Sequence, residues 1–191
     1  MPPLPQEERR YSYADILSWK DGPRYELYYG APVALAAPSS RHQSVSFEIA
    51  RQLGNYLLGK TCRAFAAPFD VRLFEEEGQD PEDVYTVVQP DLLVVCDGEK
   101  IDDRGVRGGP DLVIEILSPS TMERDWREKY RLYERAGVRE YWIVDITVRS
   151  VAVHRLENGT YNPPLLYAYN TSVPSSLWED FSLDLSTVFP E

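Results

Sequence analysis

Basic residues are scarce in this chain relative to acidic ones. It has 20 lysines and arginines against 31 aspartates and glutamates, for a formal net charge of −11. This balance argues against broad non-specific binding to nucleic acid, which normally requires a basic face. It does not exclude a local basic patch, and one stretch does concentrate basic side chains among acids: Arg124, Arg127, Lys129, Arg131, Arg135 and Arg139.

Cysteine and histidine are also rare, with two of each. A zinc site needs more of these ligands than His42, His154, Cys62 and Cys96 supply. Two thiols in a chain whose N-terminus lacks a signal-peptide pattern indicate reduced, buried cysteines and a cytoplasmic protein. No apolar run approaches about 20 residues, so we expect no transmembrane helix and no membrane partner.

The length and the absence of internal repeats or low-complexity linkers indicate one domain. The 191 residues are enough to build a real core. Residues 1–10 are rich in proline and glutamate and predict a loose N-terminal arm. We therefore expect a single domain over residues 11–191.

The most informative stretch runs over residues 107–145. Turn residues lead into a short apolar strand, Leu112 to Leu117, and a helix with Gly137 just past its end follows. Ser120 and Glu123 have the spacing of a capping box at the start of that helix. Residues 138–145 then form another strand, so the pattern predicts a right-handed βαβ crossover with parallel strands.

Glu115 is out of place in the apolar strand. Strand side chains alternate, so Val113 and Leu117 share its face, while Ile114 and Ile116 lie on the other. A buried carboxylate is costly unless it is paired or binds a metal. Two explanations stay open, a metal ligand and an acid paired with an arginine such as Arg124 or Arg127.

The rest of the chain supplies the other elements of an α/β domain. The patterns predict helices over 11–19, over 39–59 with Ser40 as its cap, and over 183–189. They predict a hairpin over 25–36 that turns at Gly30, and a second hairpin of the strands 61–74 and 84–96; strand 84–96 should also pair antiparallel with 111–117. Further strands are predicted over 148–155 and, as one edge strand, within 161–173, with a turn at Asn158-Gly159 between them.

Two Pro-Asp pairs, at Asp91 and Asp111, offer candidate partners for Glu115. Asp111 lies four residues before Glu115 on one strand, which separates the side chains by roughly 13 Å. One ion with bonds of about 2.1 Å cannot bridge that gap. Asp91 comes from a different strand and can reach Glu115 by strand pairing. Asp91 with Glu115 would suit Mg²⁺ or Mn²⁺, although Asp91 could instead cap a loop at a strand end.

Four further side chains are candidates for supporting roles. Lys129 could stabilise charge near the acids, or it could be an exposed helix lysine that pairs with Asp125, which lies on the same helix face. Glu48 is either a solvated helix acid or an auxiliary acid at a metal site. His42 opens the long helix, where it either caps the helix or contacts a phosphate.

Taken together, these motifs resemble the PD-(D/E)xK, or restriction-endonuclease-like, superfamily. The similarity is to a large bacterial branch of predicted endonucleases and covers about residues 11–189. It is carried by Tyr25-Glu26-Leu27 with Gly30, His42, Pro90-Asp91-Leu92, Glu115 followed by Ser118-Pro119-Ser120-Thr121, Asp125, Lys129, Tyr133, Gly137-Val138 and Glu140-Tyr141-Trp142. The superfamily usually has Glu-x-Lys, but position 117 here is leucine, and the branch places the lysine on the following helix, at Lys129.

The resemblance implies a mixed central sheet flanked by helices, with an N-terminal β-hairpin extension. It also implies a homodimeric, Mg²⁺-dependent DNA endonuclease. Asp91, Glu115 and the Ile116 carbonyl would hold the ion, with Lys129 assisting and with Glu48, His42 and Asp125 as auxiliary residues. Two alternatives stay open: a non-catalytic nucleic-acid- or protein-binding module that keeps the fold, and a structural dimer. The tyrosine-rich hairpins are the candidate dimer surface.

Overall fold

Residues 9–19, 22–119 and 122–189 are described by a computed structural model. The helices are α1 (Tyr13–Ser18), α2 (Ser40–Leu57), α3 (Met122–Arg124), α4 (Tyr130–Arg135) and α5 (Leu185–Val188), with a π-helical turn (Asp125–Lys129) between α3 and α4. The strands are β1 (Tyr25–Tyr28), β2 (Ala31–Ala34), β3 (Arg63–Ala66), β4 (Val71–Arg72), β5 (Val87–Val88), β6 (Leu92–Val95), β7 (Ile101–Asp102), β8 (Gly105–Arg107), β9 (Leu112–Ile116), β10 (Glu140–Asp145), β11 (Ser150–Glu157), β12 (Thr160–Tyr161), β13 (Leu165–Ala168), β14 (Ser172–Pro174) and β15 (Ser182–Asp184).

A seven-stranded mixed sheet forms the centre of the molecule. Its order is β12-β11-β10-β9-β6-β3, and β13 also pairs with β11. β9 and β10 are parallel, as the βαβ pattern predicts, and β6 is antiparallel to β9. A six-stranded sheet of order β2-β1-β5-β4-β8-β7 and a β14–β15 ribbon complete the described strands. The predicted N-terminal hairpin is confirmed, and it is the edge of this second sheet.

The alternation of side chains along β9 separates two hydrophobic clusters. Leu112, Ile114 and Ile116 pack in a cluster that contains the buried side of α2. Val113 and Leu117 pack in the other cluster, with residues of α4 and of the six-stranded sheet. The large sheet is therefore covered on both faces, which is the α/β architecture that the sequence predicts.

Two predicted strands are wrong, because each is divided between the two sheets. Residues 61–74 form β3 in the large sheet and β4 in the small one, and Pro68 lies between them. Residues 84–96 likewise divide into β5 and β6 around Pro90. Proline has no N–H for the strand ladder, so each segment leaves one sheet there and enters the other. The predicted pairing survives in both sheets, since β3 pairs with β6 and β4 with β5, antiparallel in each case.

Several helix and strand boundaries are corrected. The cap of α2 is Ser39 and not Ser40, because the Ser39 side chain accepts a hydrogen bond from the His42 N–H. The C-terminal helix is limited to α5, since residues 182–184 form β15. Residues 161–173 contribute to three short strands in place of one. Ser120, the predicted cap of α3, lies outside the described residues.

The prediction of reduced cysteines is wrong, because Cys62 and Cys96 form a disulfide. The β3–β6 register places Arg63 opposite Val95, which brings the two flanking cysteines face to face. This removes the thiol argument for a cytoplasmic protein. Among the described residues, no helix is both long and apolar enough to cross a membrane.

Only the end of the predicted N-terminal arm can be compared with the structure. Residues 1–8 of it lie outside the described part. Arg10 contacts the body of the domain, where its Nε donates a hydrogen bond to the Tyr29 carbonyl and its guanidinium lies over the Tyr85 ring. Arg10 is therefore packed against the domain, and the boundary between arm and domain at residue 11 stays a prediction.

Candidate active site

Glu115 lies in the middle of the buried strand β9 and faces α4 and the second sheet. Its side chain is paired: Lys129 Nζ donates to Oε1 at 2.8 Å, and the Tyr133 hydroxyl donates to the same oxygen at 2.7 Å. The residue is only 4% exposed. The predicted burial of an acid is confirmed, and the alternative that pairs it with an arginine is wrong.

The arginines of that alternative have other neighbours. Arg127 pairs with Glu123 at 3.2 Å on the exposed side of the helix. The Arg124 guanidinium lies 5.7 Å from the centre of the Tyr28 ring and lines the cleft described below.

Lys129 ends the π turn and is as buried as its partner, at 4% exposure. The interpretation of Lys129 as an exposed helix residue is therefore wrong. Its ammonium also lies 3.8 Å from Asp125 Oδ1, at the start of the turn. The backbone carbonyl of Asp125 accepts a hydrogen bond from the Tyr141 hydroxyl on β10, which ties the turn to the sheet. π turns are rare and often occur at functional sites.

Glu26 joins Glu115, Lys129 and Asp125 in a buried polar cluster. The sequence interpretation did not single it out as a site residue. It lies on β1, is fully buried, and its Oε1 is 3.0 Å from Lys129 Nζ. The Gln89 N–H donates to the same oxygen, and the Tyr28 hydroxyl donates to Oε2. The signal was the one that revealed Glu115, an acid between apolar residues in a strand pattern.

Asp91 joins the cluster from the start of β6. Its Oδ2 accepts a hydrogen bond of 2.8 Å from the Ile116 N–H, directly after Glu115. His42 Nε2, in the first turn of α2, lies 3.2 Å from that oxygen. Asp111 lies elsewhere and accepts from the Cys96 N–H, in agreement with the choice of Asp91.

These groups line the floor of a cleft of about 780 Å³. Asp91, Glu115, Ile116, Lys129 and His42 all contribute to its surface. One wall comes from α2, and the opposite side includes residues 117–119, after β9, and Arg124. A substrate that enters from solvent therefore meets both carboxylates and the lysine together.

The sequence comparisons identify the family. The family described as "Uma2: Putative restriction endonuclease" matches residues 13–186 of the chain. The chain belongs to this family. A curated relative, an uncharacterized protein of Synechocystis, is 26% identical over 156 residues, which cover 80% of this chain and 78% of the relative.

A solved structure supports the fold of the Uma2 chain. It is the crystal structure of a putative nuclease belonging to DUF820 from Anabaena variabilis, with a TM-score of 0.73 and 18% identity over 93% of this chain and 97% of the other. At that identity the match demonstrates the fold alone. Together with the family match, this fold confirms the predicted restriction-endonuclease-like architecture.

Electrostatics in the Uma2 cluster favour additional positive charge. Burial raises the pKa of Glu115 well above its ordinary value; Lys129 opposes this rise, whereas Asp125, Asp91 and Glu26 add to it. Burial would lower the pKa of Lys129, but the two glutamates outweigh burial and hold that pKa well above its ordinary value. Lys129 therefore stays protonated, and the carboxyl groups of Glu115, Glu26 and Asp125 all lie within 4 Å of its ammonium group.

His42 is affected by the same acids. Burial acts to lower its pKa, but the hydrogen bond and the charge of Asp91 outweigh burial, and the pKa of His42 lies above its ordinary value. A charged imidazole beside Asp91 would place a second cation at the edge of the cleft.

The donor set fits a small divalent ion that needs few protein ligands. Within the described ranges, no three His, Cys, Asp or Glu side chains converge on one ion position. Mg²⁺ commonly uses one or two carboxylates and keeps waters or substrate phosphates as its other ligands. Within the described residues, Glu115 accepts its hydrogen bonds from Lys129 and Tyr133 on Oε1, and Asp91 accepts from Ile116 on Oδ2, so the second oxygen of each carboxylate could bind a cation.

Glu48 is the predicted site residue that the structure does not bring to the cluster. It accepts hydrogen bonds from Arg51, Gln52 and Thr187, so it links α2 to α5. These contacts lower the pKa of Glu48 to about 2, with the Arg51 hydrogen bond as the largest cause. Helical spacing predicted the buried side of α2 correctly but could not show which neighbour Glu48 would face.

Proposed function

We propose that this Uma2 protein is a Mg²⁺- or Mn²⁺-dependent endonuclease that hydrolyses phosphodiester bonds in DNA. The observation that carries the proposal is the buried Glu115–Lys129 pair beside Asp91 on the floor of an open cleft. The family and the fold support the reaction class.

The side chains of this chain would divide the work as follows. Asp91 and Glu115 would hold the ion, with the carbonyl of Ile116 as a third ligand, and the ion would supply an activated water and charge neutralisation at the phosphate. Lys129, held protonated by its two carboxylates, would stabilise the charge that develops on the phosphate oxygens. Asp125 would help to hold Lys129, and His42 would fix Asp91.

The proposal is tested by titrating Mn²⁺ into the native chain and three variants by calorimetry. Native protein should bind, whereas Asp91→Ala and Glu115→Gln should each weaken binding at least about tenfold, because each removes a carboxylate ligand. Glu128→Ala is the matched control, since this exposed carboxylate is on the π turn and does not line the cleft. Thermal melts would verify that each variant is folded.

Asp91→Ala, Glu115→Gln and Lys129→Met should each lose metal-dependent cleavage of oligonucleotides, whereas the control Glu128→Ala should retain it. Native protein that binds no Mn²⁺ with or without an oligonucleotide, and cleaves nothing, would contradict the proposal. That outcome would favour the non-catalytic module that keeps the nuclease fold.

A further inference from the structure

An aromatic side chain stands exposed in the wall of the cleft. Phe47 on α2 is 73% exposed and lines the cleft on the same helix as His42. We propose that Phe47 is a stacking platform for a nucleobase, and that the cleft takes an unpaired DNA strand rather than a closed duplex. This inference rests on the proposed function, whose substrate form it specifies.

The cleft wall around Phe47 is distinct from the buried side of α2. The residues of α2 and its cap that line the cleft are Ser39, Arg41, His42, Gln43, Ser46, Phe47 and Ala50, and most of them recur every three or four positions. The core side of the helix instead carries Val45, Ile49 and Leu53. Phe47 therefore makes its surface available to a ligand, in contrast to the buried apolar residues of the helix.

The surroundings of Phe47 suit the flat, apolar face of a base. Two exposed segments of small residues and proline also line the cleft, Ala36–Pro38 and Ala66–Pro68. Aromatic side chains stack on bases of any sequence, because every base has a π face. Phe47 is five residues after His42, roughly 7.5 Å along the helix axis. A base on Phe47 would thus belong to a nucleotide close to the one whose phosphate reaches the acids.

Arginines supply the charge for the phosphates of such a strand. Arg24, Arg41 and Arg124 all line the cleft, although the chain as a whole carries a net charge of −11. None of the three has an ion pair with a carboxylate in the described part of the chain. Guanidinium groups that line one cleft and have no carboxylate partner in the described residues are complementary to a polyanion.

The depth of the acids favours a flexible strand over a rigid duplex. Glu115 and Lys129 are each 4% exposed, so a phosphate must enter the cleft to reach them. The volume of about 780 Å³ lies in the range of clefts that enclose a small molecule, about 300–1,000 Å³. An unpaired strand can bend its backbone inward and turn out a base, whereas a duplex would first have to pay the free energy of unpairing.

The experiment measures binding by fluorescence anisotropy in EDTA, with a fluorescein-labelled 12-residue oligothymidylate and with the same strand annealed to its complement. Native full-length chain should bind the single strand more tightly than the duplex. Phe47→Ala should weaken single-strand binding about tenfold, because a stacked base is lost, and Phe47→Tyr should retain it. Leu58→Ala is the matched control, an 86% exposed apolar residue at the C-terminal end of the same helix that does not line the cleft.

A second variant reports on stacking directly. Phe47→Trp should show quenching of the added tryptophan fluorescence by the single strand, beyond any change of the native tryptophans. Arg41→Gln should reduce the slope of log affinity against log salt by about 0.7, whereas the exposed Arg131→Gln should not. Tighter binding of the duplex, no binding of either DNA, or equal binding by Phe47→Ala and native chain would each overturn the inference.

The two proposals can fail separately. Binding in EDTA needs no metal. If the chain binds the single strand through Phe47 but neither binds Mn²⁺ nor cleaves DNA, the stacking site is supported and the nuclease proposal fails. If cleavage requires Asp91 and Glu115 but prefers duplex and is unchanged in Phe47→Ala, the nuclease proposal is supported and the stacking site fails.

Discussion

Lys129 takes its position from carboxylates that belong to different sheets. Glu115 reaches it from β9 of the large sheet and Glu26 from β1 of the small one. Position 117, where the superfamily usually carries its lysine, is a buried leucine in the apolar cluster around α4. The ammonium therefore enters the same region from the π turn, and two glutamates must offset the cost of burying it.

Removal of one of these two carboxylates gives a prediction at the scale of the residue. Glu26→Gln keeps a similar shape and the oxygen that accepts from Gln89, but it removes one ion pair of Lys129. We expect the free energy of unfolding to fall by about 2 kcal/mol at pH 7, because a buried charge loses a partner. Urea unfolding would measure this, with Glu128→Gln as the exposed control.

Alkaline pH tests the same contact through Lys129. Since Glu115 and Glu26 raise the pKa of Lys129, its contribution to stability is present below the ordinary lysine value of 10.5 and is lost as pH rises through the higher folded value. The gap between native chain and Glu26→Gln should therefore persist across neutral pH. A Glu26→Gln protein as stable as the Glu128→Gln control would show that Glu26 does not hold the lysine.

Among the secondary-structure elements, α2 both packs against the large sheet and lines the cleft. Its buried side packs on the large sheet, and its other side contributes His42 and Phe47 to the cleft. Polar contacts add to the apolar packing between α2 and the C-terminal segment: Glu48 accepts a hydrogen bond from Thr187, and Gln52 donates one to the Asp184 carbonyl at the start of α5. The wall of the cleft is thus supported by residues far away in sequence.

The pH dependence of this attachment follows from Glu48. Its folded pKa of about 2 is below the ordinary value of 4.5, so its contribution is present above pH 4.5 and is lost as pH falls through about 2. Glu48→Gln should destabilise the protein by up to about 1 kcal/mol at pH 7. Urea unfolding at a series of pH values should show the difference vanish towards pH 2, whereas the exposed Glu179→Gln control should match native protein throughout. A difference that is constant with pH would contradict the role of the charge.

At the scale of the whole molecule, the two sheets share segments of chain, and a disulfide joins two strands of the larger one. Residues 61–74 and 84–96 each contribute one strand to either sheet. The Cys62–Cys96 bridge closes a loop over a sequence separation of 34 beside the β3–β6 pair. β3 is the last strand on that side of the large sheet, so the bridge fixes its edge. Cytoplasmic localisation and homodimer formation both stay predictions.

The disulfide gives a prediction for the stability of the entire domain. Replacement of both cysteines by serine should lower the free energy of unfolding by about 2–4 kcal/mol under oxidising conditions, because the unfolded chain regains the freedom of the closed loop. With a reducing agent present, native and variant proteins should converge. Thiol titration of the denatured native chain is the direct control, and two free thiols in unreduced protein would contradict the bridge.

Local pattern was sufficient for the elements and for part of the site. The βαβ unit, the long helix and the N-terminal hairpin are encoded in hydrophobic periodicity and turn residues along continuous stretches of chain, so they could be predicted from the sequence. Glu115 was recognisable because an acid within an apolar strand needs a partner, and Asp91 because a strand span excludes Asp111. Lys129 followed from a helix that starts one short turn after the strand.

Tertiary structure alone decided which distant residues meet. Nothing local distinguishes the direction in which Glu48 points, the partner of Glu26, or the opposition of Cys62 and Cys96, because these depend on which elements distant in sequence pack against one another. The exchange of segments between sheets at Pro68 and Pro90 has the same origin, since a proline marks where a strand stops but not which sheet the next residues join. Local sequence patterns specify the helices, the strands and the chemistry of the acids, whereas the packing of the two sheets buries Lys129 between Glu115 and Glu26.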